Sequence, residues 1–431
     1  MYSTGIRRYW ELRRNLKLPL STLKVRQWKA LCRIVQFAYD RVPFYRKLYS
    51  EAQFSPSDLN SPADLARIPT SSKALFQQAE PSDLIARGYE LEKLRRKRTS
   101  GSTGSPLNVY YAPEDRILRT ILHLRILFHN GMKLTDRMAH ISDNRDVPDF
   151  RYSFQKLGFL AKDFVAAADD PQQQLENLAR IQPDVIYSYA SSMVLLSEAV
   201  QKMGNCPIKP RLIFTTGELL NPADRERINR TFSVKLRDIY GIVEMGDVAW
   251  ECPELDGYHL NIDNFWVDLE KDGSSEGTSD SGKLIITNLH SFAMPIIRYE
   301  VGDIISEPYE EICKCGCTFP RLQVVQGRAD DWLYTVDGKR ISPLIFVIAS
   351  IPGVQQYRMI QKSFAHLIVE ILPGKDFSLQ TLEKAREHVL EVMGAGMQVD
   401  VQRVDQIPKQ SGKMRRVISE LDRVQVCSCE S

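Results

Sequence analysis

Two segments carry residue types that handle phosphate. Thr99-Ser100-Gly101-Ser102-Thr103-Gly104-Ser105-Pro106 is dense in glycine and hydroxyl side chains. Glycine at that density lets the backbone approach an anion closely, and hydroxyl and amide groups then act as donors. No Lys-Ser or Lys-Thr pair follows the second glycine, so this is not a Walker A loop. Read alone, such a turn is more often a flexible loop. The basic run Arg95-Arg96-Lys97-Arg98 before it is either local positive potential or a solvated face. Toward the other end, Ile407-Pro408-Lys409-Gln410-Ser411-Gly412-Lys413-Met414-Arg415-Arg416 sets Lys413 on a Ser-Gly turn. A lysine there is a mobile point charge, suited to neutralising a developing negative oxygen. Alone, that segment reads as a polar tail.

The elements that position them belong to a chain of 431 residues, too long for one ordinary compact core, so two domains are expected. With 43% of residues hydrophobic, a sizeable core is easily supplied. A net charge of +3 gives no case for nucleic acid or membrane as the main partner. The start, MYSTGIRRYWELRR, has arginines but no apolar run after them, so it does not read as a secretory signal. No stretch approaches the roughly 18 apolar residues that span a bilayer. A cytoplasmic protein without a transmembrane segment is expected, its basic N-terminal segment a solvated helix face rather than a membrane contact. The 8 cysteines are too sparse for a disulfide scaffold and read as free thiols or metal ligands.

Trp28, Leu31, Ile34, Val35, Ala38 and Tyr39 recur at helical spacing before Pro43, and a buried helix is expected after Pro113. Asp184–Tyr189 and Arg211–Thr216 read as buried strands around a helix over Ser191–Met203. Val234–Tyr240 and Lys283–His290 read as further strands, and Asp272–Gly282 as a surface hairpin or loop. Val354–Gln361, His366–Leu372, the stripe Leu379, Leu382, Ala385, Val389, Leu390, Met393, and Gln398–Val404 give strand-strand-helix-strand. The fold class expected is α/β: a large N-terminal domain of mixed sheets and helices over 1–328, and a small mobile α+β domain over 329–431. His123 and His129, in an apolar helical stretch, read as core or edge residues.

Together the two phosphate-type segments resemble signature motifs of the adenylate-forming superfamily of acyl-CoA synthetases, luciferases and adenylation domains. Others follow in order. Thr216-Gly217-Glu218 sits where an adenine-contacting segment is expected, and Tyr240-Gly241-Ile242-Val243-Glu244 resembles Tyr-Gly-x-Thr-Glu. Arg298-Tyr299-Glu300-Val301-Gly302-Asp303 resembles Arg-Tyr-x-x-Gly-Asp, and Gly327-Arg328-Ala329-Asp330-Asp331 resembles the interdomain hinge. Compact length, Glu251-Cys252-Pro253 and the Cys-x-Cys-Gly segment make the chain most similar to the phenylacetate–CoA ligase branch, which includes relatives associated with surface-polysaccharide biosynthesis.

The resemblance implies a site residue by residue. Ser100, Gly101, Ser102, Thr103 and Gly104 would cradle ATP phosphates, with Thr103 and Glu244 holding Mg²⁺ through oxygen ligands. Tyr240 and Gly241, with Gly217 and Glu218, would line the adenine pocket. Asp303 would accept from the ribose hydroxyls, assisted by Arg328, and Lys413 would bridge the substrate carboxylate and the α-phosphate. Asp330 is the implied hinge. Val243 departs from the pattern by removing a hydroxyl before the acid.

Cys252, His259, Cys313 and Cys315 match the positions of a zinc site in this branch, and three thiolates with one imidazole suit a closed tetrahedral Zn²⁺. Cys317 could replace one of them. The implied activity is an ATP-dependent ligase that forms an acyl-AMP from a small carboxylic acid and transfers the acyl group to CoA. An aryl or arylacetic acid is the branch's usual substrate. The alternative acceptor is an amine, a sugar or a carrier protein. A non-catalytic nucleotide-binding relative is the third reading, and a homodimer is the branch's expectation.

Overall fold

The computed structural model describes residues 2–99, 106–142, 153–271, 281–323, 325–328, 332–341, 343, 346, 348–394, 396–410 and 413–421. The chain runs through helices α1 (Tyr2–Asn15) and α2 (Leu20–Arg41), strands β1 (Arg95–Arg98) and β2 (Asn108–Tyr111), and helix α3 (Pro113–His129). Next come β3 (Met138–Ser142), β4 (Lys162–Ala166), α4 (Pro171–Ile181), β5 (Val185–Tyr189), α5 (Ala190–Met203), β6 (Leu212–Thr216) and α6 (Pro222–Phe232). Strands β7 (Arg237–Ile242), β8 (Gly246–Glu251), β9 (Tyr258–Leu260), β10 (Phe265–Glu270), β11 (Ser281–Asn288), β12 (Tyr299–Ser306) and β13 (Arg321–Leu322) follow. The C-terminal part holds β14 (Val354–Ser363), β15 (His366–Pro373), α7 (Leu379–Met393), β16 (Gln398–Arg403) and β17 (Val417–Ser419).

Contacts gather these into two compact units. One comprises Met1–Gly131, Ile239–Gly273 and Asp280–Val325; the other comprises Met132–Asp238, Ser274–Ser279 and Gln326–Ser431.

In the first unit, α2 has neither glycine nor proline inside it and buries Leu23, Leu31, Ile34, Val35 and Ala38 along one stripe. Helix α3 starts on Pro113, whose missing N–H is no loss at that position. Asp115 turns back to accept from the Ala112 N–H at 3.0 Å. Antiparallel pairing joins β10 to β11 and β11 to β12, and β9 pairs with both β8 and β13. One fully buried side chain ties the layers. Arg125 of α3 donates to the Leu12 carbonyl of α1 at 3.0 Å, to Asp263 at 2.6 Å and to Asn261 at 2.7 Å. A buried guanidinium is tolerable only with partners of this kind. The segment just after α1 is also bound to the residues before β13: Thr318 donates its N–H to the Leu16 carbonyl at 2.9 Å and its hydroxyl to the Leu18 carbonyl at 2.6 Å.

The second unit has two cores. Strands β4, β3, β5 and β6 lie side by side and parallel. Every residue of β5 is buried, as expected where helices cover both faces of a parallel sheet. Leu175, Leu178, Met193, Leu196, Ile213 and Ile228 fill this core. The other core lies beneath a sheet of order β16-β15-β14-β17, with Ala385, Val389 and Met393 of α7 packed on it.

The sequence reading differs from this structure in particular places. The strand expected over Val234–Tyr240 starts at Arg237, because Ser233 adopts a left-handed conformation (φ 54°) that ends α6 and diverts the next residues into a turn. Strands β3 and β4 were not expected: His140, Lys162 and Asp163 interrupt their apolar pattern. Leu379 begins the α7 stripe but is 82% exposed. The loop expected over Asp272–Gly282 lies mostly outside the described residues.

Candidate active site

Motif residues in the first unit meet through crossed hydrogen bonds. Tyr240, which opens one motif on β7, donates its hydroxyl to Asp303, the acid that closes the other motif on β12. Tyr299 of the second motif donates in turn to Glu244 of the first, at 3.1 Å. Each motif thus supplies a phenol that orients the other's carboxylate. Asp303 is buried, so its orientation is fixed by partners rather than by water. The turn between β7 and β8 is held by its backbone: the Val243 carbonyl accepts from Tyr111 at 2.7 Å and from Arg119 at 2.9 Å. The hydroxyl missing at Val243 is therefore not needed to shape this turn. Gly241 sits close to the next strand: a Cβ there would lie 3.1 Å from the Gly246 carbonyl oxygen, so any larger residue pushes that carbonyl back.

The frame of the phosphate-type loop is an antiparallel pair, Arg95 opposite Tyr111 and Arg98 opposite Asn108. Thr99 closes it by exchanging bonds with Leu107, at 2.9 Å from its N–H and 2.8 Å to its hydroxyl oxygen. Ser100, Gly101, Ser102, Thr103 and Gly104 lie outside the described residues, as does Asp330. Arg328 falls on the short strand Val325–Arg328, and Lys413 on the strand Lys413–Met414, which pairs with Lys409–Gln410.

In the second unit, Gly217 takes φ 74° just after β6, turning the chain so that Glu218 reaches α5. The Glu218 carboxylate accepts from the Ser191 N–H at 2.7 Å and the Ser191 hydroxyl at 2.9 Å. It satisfies an orphan donor of the first turn of α5 and places negative charge at the positive end of that helix. The sequence reading of Glu218 as a pocket residue missed this capping role, which no local spacing reveals. His140 packs against Phe164 and Tyr187, with ring centroids 5.3 and 5.0 Å away.

Cys252, His259, Cys313 and Cys315, from separate parts of the first unit, bring their ligand atoms within 4.8 Å of one another. The Cys252 and Cys313 sulfurs are 3.6 Å apart, and the Cys315 sulfur lies 3.4 Å from His259 Nε2. His259 turns its other nitrogen to the Phe319 carbonyl oxygen at 3.3 Å, which fixes the ring. Hydrogen bonds from Cys315 and then His259 pull Cys252 down to about 3, toward the thiolate, while the bond to Cys252 pushes Cys315 up. Cys317 stands outside this group and is pushed up to about 12 by burial. His129 meets the Trp250 ring edge-on at 4.9 Å, and burial lowers it to about 4. His123 is paired with Asp247 at 2.8 Å. Both fit the reading of core or edge histidines.

Residues 333–420 match the family described as the CapK C-terminal domain. A phenylacetate-coenzyme A ligase of Aromatoleum evansii is 30% identical over 330 residues, covering 74% of this chain and 73% of that protein. The chain belongs to the phenylacetate–CoA ligase family. Another phenylacetate-coenzyme A ligase, of Thermus thermophilus, is 28% identical over 438 residues, 93% of this chain and 97% of its own. A crystal structure of 2-hydroxyisobutyryl-CoA ligase in its postadenylation state aligns with TM-score 0.77 at 21% identity, over 96% of this chain and 93% of that one. The phenylacetate–CoA ligase family fold is therefore present along nearly the whole chain.

In this family member Tyr299 and Arg416 stand within motifs whose pattern gives them no task, and Asp224 stands outside every motif. Tyr299 aims Glu244, and Arg416 is paired with Asp224 at 2.5 Å. Partners 55 and nearly 200 positions away leave no trace in spacing. The sole signal was position: each arginine or tyrosine stands within a few residues of an acid or lysine already singled out.

Proposed function

We propose that this protein is an AMP-forming acid–CoA ligase acting in two half-reactions. In the first, a carboxylate oxygen attacks the α-phosphorus of ATP, the bond to the β-phosphate oxygen breaks, and pyrophosphate leaves an acyl-AMP. In the second, the thiol of CoA loses its proton and attacks the acyl carbon, and AMP leaves with the bonding electrons. The observation that carries this reading is the crossed pairing of Tyr240 with Asp303 and Tyr299 with Glu244, in a family member that keeps Lys413. These bonds pre-set the two carboxylates before substrate arrives, so their reorganisation adds little to the barrier.

In this reading Ser100 to Gly104 cradle the phosphates, and Asp303 with Arg328 takes the ribose. Gly217, Glu218, Tyr240 and Gly241 border adenine. Thr103 and Glu244 would hold Mg²⁺, which supplies charge neutralisation at the phosphates. Lys413 faces the α-phosphate, and the region 329–431 turns about Asp330 between half-reactions to exchange Lys413 for the face that admits CoA. The acid is aryl or arylacetic, and the protein works in the cytoplasm as a dimer. The match to the CapK C-terminal domain favours one second reading, in which an amine, sugar or carrier protein replaces CoA as acceptor.

Cys252, His259, Cys313 and Cys315 fit a structural Zn²⁺. Sulfurs bound tetrahedrally at about 2.3 Å stand about 3.8 Å apart, and Cys252 and Cys313 are already at 3.6 Å. Zinc there would cross-link the end of β8, strand β9 and the turn before β13 and take no part in the chemistry.

The test is Mg-ATP-dependent pyrophosphate release with aryl, arylacetic, fatty, hydroxy and amino acids, each with CoA, with hydroxylamine and with neither. Release that needs one acid class and yields a CoA thioester is the expected result. Hydroxamate without thioester would replace CoA by another acceptor, and silence with every acid would sink the ligase reading.

A further inference from the structure

We infer that the ion pair between Arg416 and the buried Asp224 is a positioning device that holds the lysine-bearing strand for the first half-reaction. This rests on the ligase reading above. Arg416 lies three residues beyond Lys413, so a fixed Arg416 confines the Lys413 backbone to within about 10 Å. Arg416 is held at both ends. Its carbonyl accepts from the Met359 N–H at 2.8 Å, in line with the parallel pairing of Val417 with Met359. Its guanidinium meets Asp224 at 2.5 Å and lies over the Tyr357 ring, 5.1 Å from the centroid. Asp224 is buried in the first turn of α6, six residues after Glu218.

The surrounding contacts fix the same register. Asn221 caps α6 by accepting from Ala223 and donates to the Phe346 carbonyl at 3.1 Å. Arg227, a helical turn beyond Asp224, pairs with Glu198 at 2.9 Å and donates to the Ala349 carbonyl at 2.8 Å. Side chains of α6 thus bind the C-terminal core at several points, and among these the Arg416 contact leads along the backbone to Lys413. Stability alone does not explain such an ion pair, because well-packed apolar residues of similar volume often do as well. What the pair adds is direction: the charges meet in this register of the strand, and another register would carry the guanidinium away from the buried Asp224 carboxylate.

Two measurements test this. Asp224→Asn, Arg416→Met and Arg416→Lys are compared with wild type and Lys413→Ala, using phenylacetate as the probe acid for pyrophosphate release and preformed phenylacetyl-AMP with CoA for thioester formation. The expected result is a kcat for the first half-reaction lower by about 10- to 100-fold for Asp224→Asn and Arg416→Met. Arg416→Lys should recover part of it, the KM for ATP should move less than kcat, and the second half-reaction should hold its rate. Amide exchange on the free proteins, which needs no substrate, should quicken over residues 413–419 in Asp224→Asn while β15 stays protected. Unchanged exchange there, or equal slowing of both half-reactions, overturns the inference while Lys413→Ala still fails in the first. If Lys413→Ala keeps the first half-reaction, the lysine assignment falls and takes the inference with it.

Discussion

The thiol–imidazole cluster and the lysine-bearing tail are both assembled from residues far apart in sequence, yet they are held differently. Around the cluster, Cys252 follows the end of β8, His259 lies on β9 between two antiparallel partners, and Cys313 and Cys315 come from the turn before β13. All the ligand groups converge on one point, and His259 is braced from behind by the Phe319 carbonyl. Near the tail, the fixing contacts are ion pairs and single bonds to carbonyl oxygens, Arg416 with Asp224 and Arg227 with Glu198. A convergent site gains from every ligand at once and has no second arrangement. An ion pair that has already given up its solvation gains little net stability, so a segment held that way can be released.

The comparison breaks most visibly at the cluster. With Zn²⁺ bound as proposed, Cys252→Ser or His259→Ala should cost about 5 kcal/mol or more, because metal binding in such a site is folding free energy. Thermal unfolding with and without a chelator, alongside metal analysis, checks this; a metal-free protein of unchanged midpoint would remove the contrast. Lys413→Ala should lower the first half-reaction by about 10²- to 10³-fold with no change in unfolding midpoint. A fall in both would make the tail a structural element like the cluster.

A smaller effect is expected at the second ion pair. Arg227→Met should destabilise by about 3 kcal/mol, since it leaves Glu198 buried and unpaired, while the double variant with Glu198→Gln should recover most of that loss in urea titrations. Smaller still is the effect of Asp115, which burial raises to about 6. The folded chain keeps this proton after the unfolded chain has released it, so the group's contribution to stability falls as pH rises from about 4 to about 6. Asp115→Asn should remove about 2–3 kcal/mol of that pH dependence. Equal slopes for variant and wild type would show that the cost is not Asp115's.

Much of the architecture could be read from spacing. The helix before Pro43, the strands around Ser191–Met203 and the strand-strand-helix-strand tail all carry their apolar period openly. The two strands missed, β3 and β4, bear His140, Lys162 and Asp163 where a buried parallel strand usually shows only aliphatic residues. Within the site, Glu244, Asp303 and the four cluster residues were legible because each belongs to a recognisable motif. Their supports were not. Tyr299 on Glu244 and Asp224 on Arg416 are set by how sheets and helices pack, and local order carries no record of that. Glu218 shows the opposite case, a residue singled out from its motif whose carboxylate is engaged at the start of α5.

The ties between the segment after α1 and Thr318 have a consequence for how the protein is made. The Leu16 and Leu18 carbonyls accept from a residue about 300 positions later in the chain. At ribosomal rates of about 5–20 residues per second, this segment leaves the ribosome some 15–60 s before its partner exists. Leu12 can be covered earlier, by Ile121 and Leu122 of α3, but the segment that follows α1 has no Thr318 to donate to it for that interval, which is where a chaperone would have its opening during synthesis of this protein.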